Sequence, residues 1–110
     1  MAFDDLIADR TRRALSRRKN VEEKKMIGGI GFLLNGNMLV GVWKEYLIVR
    51  LGVEQAEEEL REPHVREFDI TGRSMKGWVM VGPEGAEEDR LTDWVQRALT
   101  FVGKLPAKDG

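Results

Sequence analysis

Cysteine is missing from this chain altogether. That removes disulfides, thiolate zinc sites, iron–sulfur clusters and cysteine nucleophiles in one step. Histidine occurs once, as His64, which cannot build a metal cluster alone. Serine is scarce: Ser16 sits among arginines, and Ser74 lies two residues before Lys76 rather than the three of a Ser-x-x-Lys motif. No run approaches the ~18 apolar residues of a membrane span. The start, MAFDDLIADRTRR, alternates acids with apolar residues and lacks the apolar core of a secretion signal. These absences point to a cytoplasmic chain with no membrane association, no cofactor and no catalytic constellation.

What is present fits one soluble domain. The chain has 110 residues, 42% of them apolar and 34% charged, enough for one hydrophobic core under a well-solvated surface. We place that domain over residues 1–105 and read 106–110 as a flexible tail. The net charge of −1 hides a basic cluster, Arg10, Arg12, Arg13, Arg17, Arg18 and Lys19, late in the first helical stretch. A helix C-terminus favours such cations through its dipole, so the cluster is accounted for without a nucleic-acid partner.

Phe3, Leu6, Ile7, Ala14 and Leu15 recur at helical spacing, which predicts a helix over about 3–18, ended near Asn20. Strands follow. A short one over Lys24–Ile27 is optional, and Ile30–Leu34 runs into Asn35-Gly36, a strong signal for a type I′ hairpin turn that Asn37 would widen by a residue. Met38–Trp43 returns, Lys44-Glu45 reverses the chain again, and Tyr46–Leu51 continues the meander. Val53, Ala56 and Leu60 put one apolar face on a short helix that Pro63 stops. Val65–Asp69 and Gly77–Val81 read as two more strands around a polar loop over 70–76, and Pro83-Glu84-Gly85 as a turn. Leu91, Trp94, Val95, Ala98, Leu99 and Val102 mark a long amphipathic helix over about 86–104. Grouped strands with short reversals imply an α+β fold: a two-layer sandwich with helices on one face of an antiparallel sheet, in the order helix, three or four strands, helix, two strands, helix.

The stretch KKMIGGIGFLLNGN, residues 24–37, has the glycine density of a phosphate-binding loop but not its grammar. A Walker loop ends in Gly-Lys-Ser/Thr; here Lys24 and Lys25 precede the glycines, and no Ser or Thr follows. A dinucleotide fingerprint needs a glycine at position 34 and a helix start, whereas Leu34 leads into a hairpin. Glycines inside strands mark bends or close approaches instead, and Trp43 and Trp78 are the candidates to lie over them.

The order of several separated motifs carries a resemblance. Glu23-Lys24-Lys25-Met26-Ile27-Gly28-Gly29, then Gly31-Phe32, Asn35-Gly36-Asn37-Met38 and Gly41, and later Thr71-Gly72-Arg73 with Met75-Lys76-Gly77-Trp78, resemble the N-terminal domain of the TfoX/Sxy family of bacterial competence regulators. Ile27 departs from the aromatic residue usual after Lys-Met, which implies altered packing rather than another fold. The resemblance implies a sandwich similar to type III secretion chaperones. In full-length regulators a helical C-terminal domain follows, and the protein assists the cyclic-AMP receptor protein at competence promoters. This chain resembles the standalone members.

Three functions follow as expectations. The first is a non-enzymatic regulatory or protein-interaction domain, its partner being itself as a homodimer or a transcription regulator. The surfaces expected to serve it are a sheet edge and the 70–76 loop with Arg73 and Lys76. The second is direct DNA contact through Arg12, Arg13, Arg17, Lys24 and Lys25, which would weaken steeply with salt. The third is a small-anion ligand or substrate held by Lys25, Arg73 and Lys76, which requires those side chains to converge.

Overall fold

The computed structural model describes residues 4–26, 28–69 and 75–107, with the side chains of Met26 and Glu88 left aside. The chain runs α1 (Asp5–Leu15), β1 (Val21–Met26), β2 (Gly29–Leu34), β3 (Asn37–Trp43), β4 (Tyr46–Arg50), α2 (Val53–Glu59), β5 (Val65–Glu67), β6 (Trp78–Val81), a 3-10 turn over Pro83–Ala86, and α3 (Glu88–Val102). This is the α+β sandwich expected, built on a six-stranded antiparallel sheet in the order β1-β2-β3-β4-β6-β5. Among the described residues no helix is long and apolar enough to cross a membrane.

Local chemistry sets the element ends. α1 is shorter than its apolar period because Asp4 caps the front, its carboxylate accepting the Leu6 and Ile7 amides at 2.9 and 3.1 Å. At the other end the Ser16 hydroxyl donates to the Arg13 carbonyl at 2.9 Å. Leu6, expected on the apolar stripe, is exposed, and Ile7, Ala8, Thr11 and Leu15 supply the buried face instead. Asn20 does take a left-handed conformation, with φ of 64°, but beyond the helix, where it turns the chain into β1. The Asn35-Gly36 turn has positive φ at both residues, 52° and 81°, as a type I′ turn requires. Asn37 does not widen it, because Asn37 already pairs with Leu34.

Partners across a ladder share a face, so the register sorts the side chains. Ile30, Phe32 and Leu34 of β2 align with Val40 and Val42 of β3, Leu47 and Val49 of β4, Val79 and Val81 of β6, and Val65 of β5. This row of apolar side chains forms the core with Ile7, Ala8 and Leu15 of α1 and Leu91, Trp94, Val95, Ala98, Leu99 and Val102 of α3. The register slips between Phe32 and Leu33, and the bulge lets successive residues Leu39 and Val40 both enter the core, each with no exposed surface. α2 crosses between β4 and β5 and buries only Ala56, leaving Val53 exposed against the expectation of an apolar face that includes it. Trp94 fastens α3 to the 3-10 turn by donating from Nε1 to the Gly85 carbonyl at 3.0 Å.

Candidate interaction surfaces

α1 and α3 pack on one face of the sheet, and among the described residues the centre of the other face is formed by the strands' own side chains. Three rows cross it. The central row aligns Lys24, Gly31, Gly41, Ile48, Met80 and Arg66. To one side stand Trp43 and Tyr46, whose rings stack with centroids 6.3 Å apart. To the other stand Leu33 and Met38, then Arg50 and Trp78, with Phe68 5.8 Å from the Trp78 ring.

Ile48 and Met80 are 6% and 3% exposed yet lie outside the main core cluster. The register places both on the face opposite the helical core. Leu33, Met38, Trp43, Tyr46 and Trp78 stand half-buried on that same face. Of the glycines, Gly28 lies under Trp43: a Cβ there would sit 2.9 Å from the indole Nε1. Trp78 does not lie over the glycine stretch as expected; β6 is separated from β2 by β3 and β4, and its indole meets Phe68 and Arg50.

The charges around this apolar ground are mostly cationic. The strands place Lys24, Arg50 and Arg66 on it against Glu22, and Lys44 leans from its turn over the Trp43 ring at 4.5 Å. Arg50 lies 5.3 Å from the Trp78 centroid and Arg66 6.0 Å from that of Tyr46, whose hydroxyl accepts from Arg66 at 3.3 Å. Such contacts hold cations against aromatic faces while leaving them wet.

β1 forms the sheet edge and separates the residues expected to act together. Lys24 points to the helix-free face and Lys25 to the helical one, since alternate side chains of a strand point oppositely. Arg12 reaches from α1 to Glu23, donating from Nε at 2.5 Å and from NH2 at 3.1 Å, and also meets Asp9 at 2.7 Å. The hydrogen bond to Glu23 and the nearby carboxylates raise the Arg12 pKa above its usual value. Arg12, Lys24 and Lys25 therefore do not form one DNA-facing patch; Arg13 and Arg17 stay exposed on and just beyond α1.

The anion trio is not brought together by its described members. Lys25 is on β1 and Lys76 just ahead of β6, four strand spacings away, or roughly 19 Å. Arg73 lies outside the described residues, as does most of the 70–76 loop; Met75 and Lys76 are exposed and Gly77 is buried. Phe32 belongs to the core, while Asn35 and Gly36 form the turn. A cleft of about 700 Å³ between the front of α1 and the front of α3 mixes Arg10 and Arg90 with Asp4, Glu87 and Asp89 and so favours neither sign. Among the described residues no group of three or more His, Asp or Glu side chains is arranged to hold a metal ion.

Sequence reasoning did not find the helix-free face. Its signal is the out-of-phase set Leu33, Trp43, Ile48 and Met80, apolar at positions that alternation assigns to solvent. No curated protein and no solved structure matches the chain. A family model does: the TfoX N-terminal domain matches residues 13–102, from the second half of α1 to the last residue of α3. The chain belongs to the TfoX N-terminal domain family.

Proposed function

We propose that this chain is a non-enzymatic interaction domain serving a regulatory assembly, and that it holds a protein partner on the helix-free face of its sheet. The observation that carries the reading is the combination of buried Ile48 and Met80 with half-buried Trp43, Tyr46, Leu33, Met38 and Trp78 on a face no helix covers. Large apolar side chains gathered on an open surface mark interaction sites. The cations Lys24, Lys44, Arg50 and Arg66 around them favour a partner with an apolar centre and acidic flanks. Family membership supports a regulatory role, of the kind competence regulators play in transcription, as the setting for that contact.

The test compares recovery of partners from native lysate by the wild type and by variants whose folding is verified by circular dichroism. Leu33→Asp and Met38→Asp should lose a specific protein that Arg13→Asp and Arg17→Asp retain. The opposite pattern, loss only with the α1 variants, contradicts the reading and favours the DNA alternative through Arg13 and Arg17. That alternative predicts a mobility shift that disappears as salt is raised.

A further inference from the structure

β1 is the long open edge of the sheet, six residues against three for β5 at the opposite edge. Its backbone phase is fixed. The Asn35 amide donates to the Asn20 carbonyl at 3.0 Å, and the register then runs unbroken from Val21↔Leu34 to Met26↔Gly29. Antiparallel ladders alternate bonded and non-bonded pairs. Glu22, Lys24 and Met26 therefore bond to β2, while the N–H and C=O groups of Val21, Glu23 and Lys25 point outward along the edge.

Charged residues on an edge normally discourage pairing with other chains. Here they form a block of both signs, Glu22-Glu23-Lys24-Lys25. Two copies pairing antiparallel are related by a two-fold axis perpendicular to the sheet, and opposite residues share a face. The axis must then pass at a residue, so the charges decide between Glu23 and Lys24.

With the axis at Glu23, Glu22 faces Lys24 of the partner subunit and Lys24 faces Glu22 of the partner subunit. Among the described residues neither Glu22 nor Lys24 has an ion pair within its own chain. The two Glu23 carboxylates at the axis are each already held by their own Arg12. With the axis at Lys24, Glu23 would face Lys25 of the partner subunit, but that carboxylate is already held by Arg12, and the two Lys24 ammonium groups would meet with no counter-ion.

We infer that a second copy of this chain pairs with β1 about Glu23, joining two six-stranded sheets into one continuous sheet. About six backbone hydrogen bonds form from the outward groups of Val21, Glu23 and Lys25. This dimer uses the strand edge and leaves the apolar centre of both helix-free faces open, so it shares only Lys24 with the docking reading above.

Sedimentation velocity across a wide concentration range, at low and moderate salt, tests it. The wild type should show a concentration-dependent monomer–dimer equilibrium. Glu22→Lys and Lys24→Glu each turn two Glu–Lys pairs into like-charge pairs and should weaken dimerisation by about tenfold or more. The double variant Glu22→Lys/Lys24→Glu exchanges the signs and should restore it. A wild type that stays monomeric throughout overturns the inference. So do single variants that dimerise like the wild type, or a double variant as weak as the singles.

Discussion

Adding one methyl group at Gly29 tests the physical reading of the glycine stretch. Gly29 opposes Trp43 at the start of the β2–β3 ladder. A Cβ built there would lie 2.2 Å from the Val42 carbonyl oxygen, 3.2 Å from its carbon and 3.4 Å from the Trp43 Cα. These are backbone atoms, so no side chain can rotate away. β3 is also pinned from behind by β4 through the Val42↔Leu47 and Trp43↔Tyr46 pairs, so Gly29→Ala must part β2 from β3. Overpacking in a tight site costs ~1–3 kcal/mol. One or two weakened ladder hydrogen bonds add ~0.5–1.5 kcal/mol each. The sum, roughly 1.5–6 kcal/mol, is a large part of the stability of a domain this size. In urea denaturation, with a slope of ~1–3 kcal/mol per molar, the midpoint should fall by about 0.5 M or more. Gly41→Ala is the control: its Cβ would meet the Ile30 carbonyl oxygen at 3.2 Å and the flexible Met38 Cε at 3.3 Å. It should cost under ~1.5 kcal/mol. If Gly29→Ala matched the wild type, or the two variants were equally destabilised, close backbone approach would not be the reason for the glycine.

Further predictions follow from single contacts. Asp4→Ala removes the cap on α1 and should cost ~1 kcal/mol in chemical denaturation, with Asp4→Asn close to the wild type. Trp94→Phe leaves the buried Gly85 carbonyl without its donor and should cost ~1–3 kcal/mol by the same assay. Arg12→Ala breaks contacts to Glu23 and Asp9 that stand more than a third exposed, so its cost should stay within ~1 kcal/mol and shrink with added salt.

The sequence made local order legible wherever one side of an element is apolar. The α3 period and the Asn35-Gly36 turn needed only a few neighbouring residues to be read, and both are present. β1 is hard to read for a physical reason: Glu22, Glu23, Lys24 and Lys25 are exposed on both sides of a sheet edge, so no apolar alternation marks it. Its full length matters, because the period of two is what sends Lys24 and Lys25 to opposite faces and dissolves the single basic patch. The placement of β6 between β4 and β5 was likewise invisible, since the 3-10 turn and α3 that follow constrain it only in three dimensions. That placement brings Met80 beside Ile48 and completes the helix-free face. Burial of Ile48 and Met80 cannot be inferred from alternation, which assigns both to solvent.

Docking of a protein on the helix-free face is tested by site-specific photo-crosslinking in native cells. A photoreactive residue is placed in turn at Leu33, Met38 and Arg66 on the helix-free face, and at Arg13 and Arg17 on the α1 side. A discrete protein adduct is expected from the first group and none from the second. Adducts confined to the α1 positions, or nucleic-acid adducts there with none from the sheet face, would contradict it.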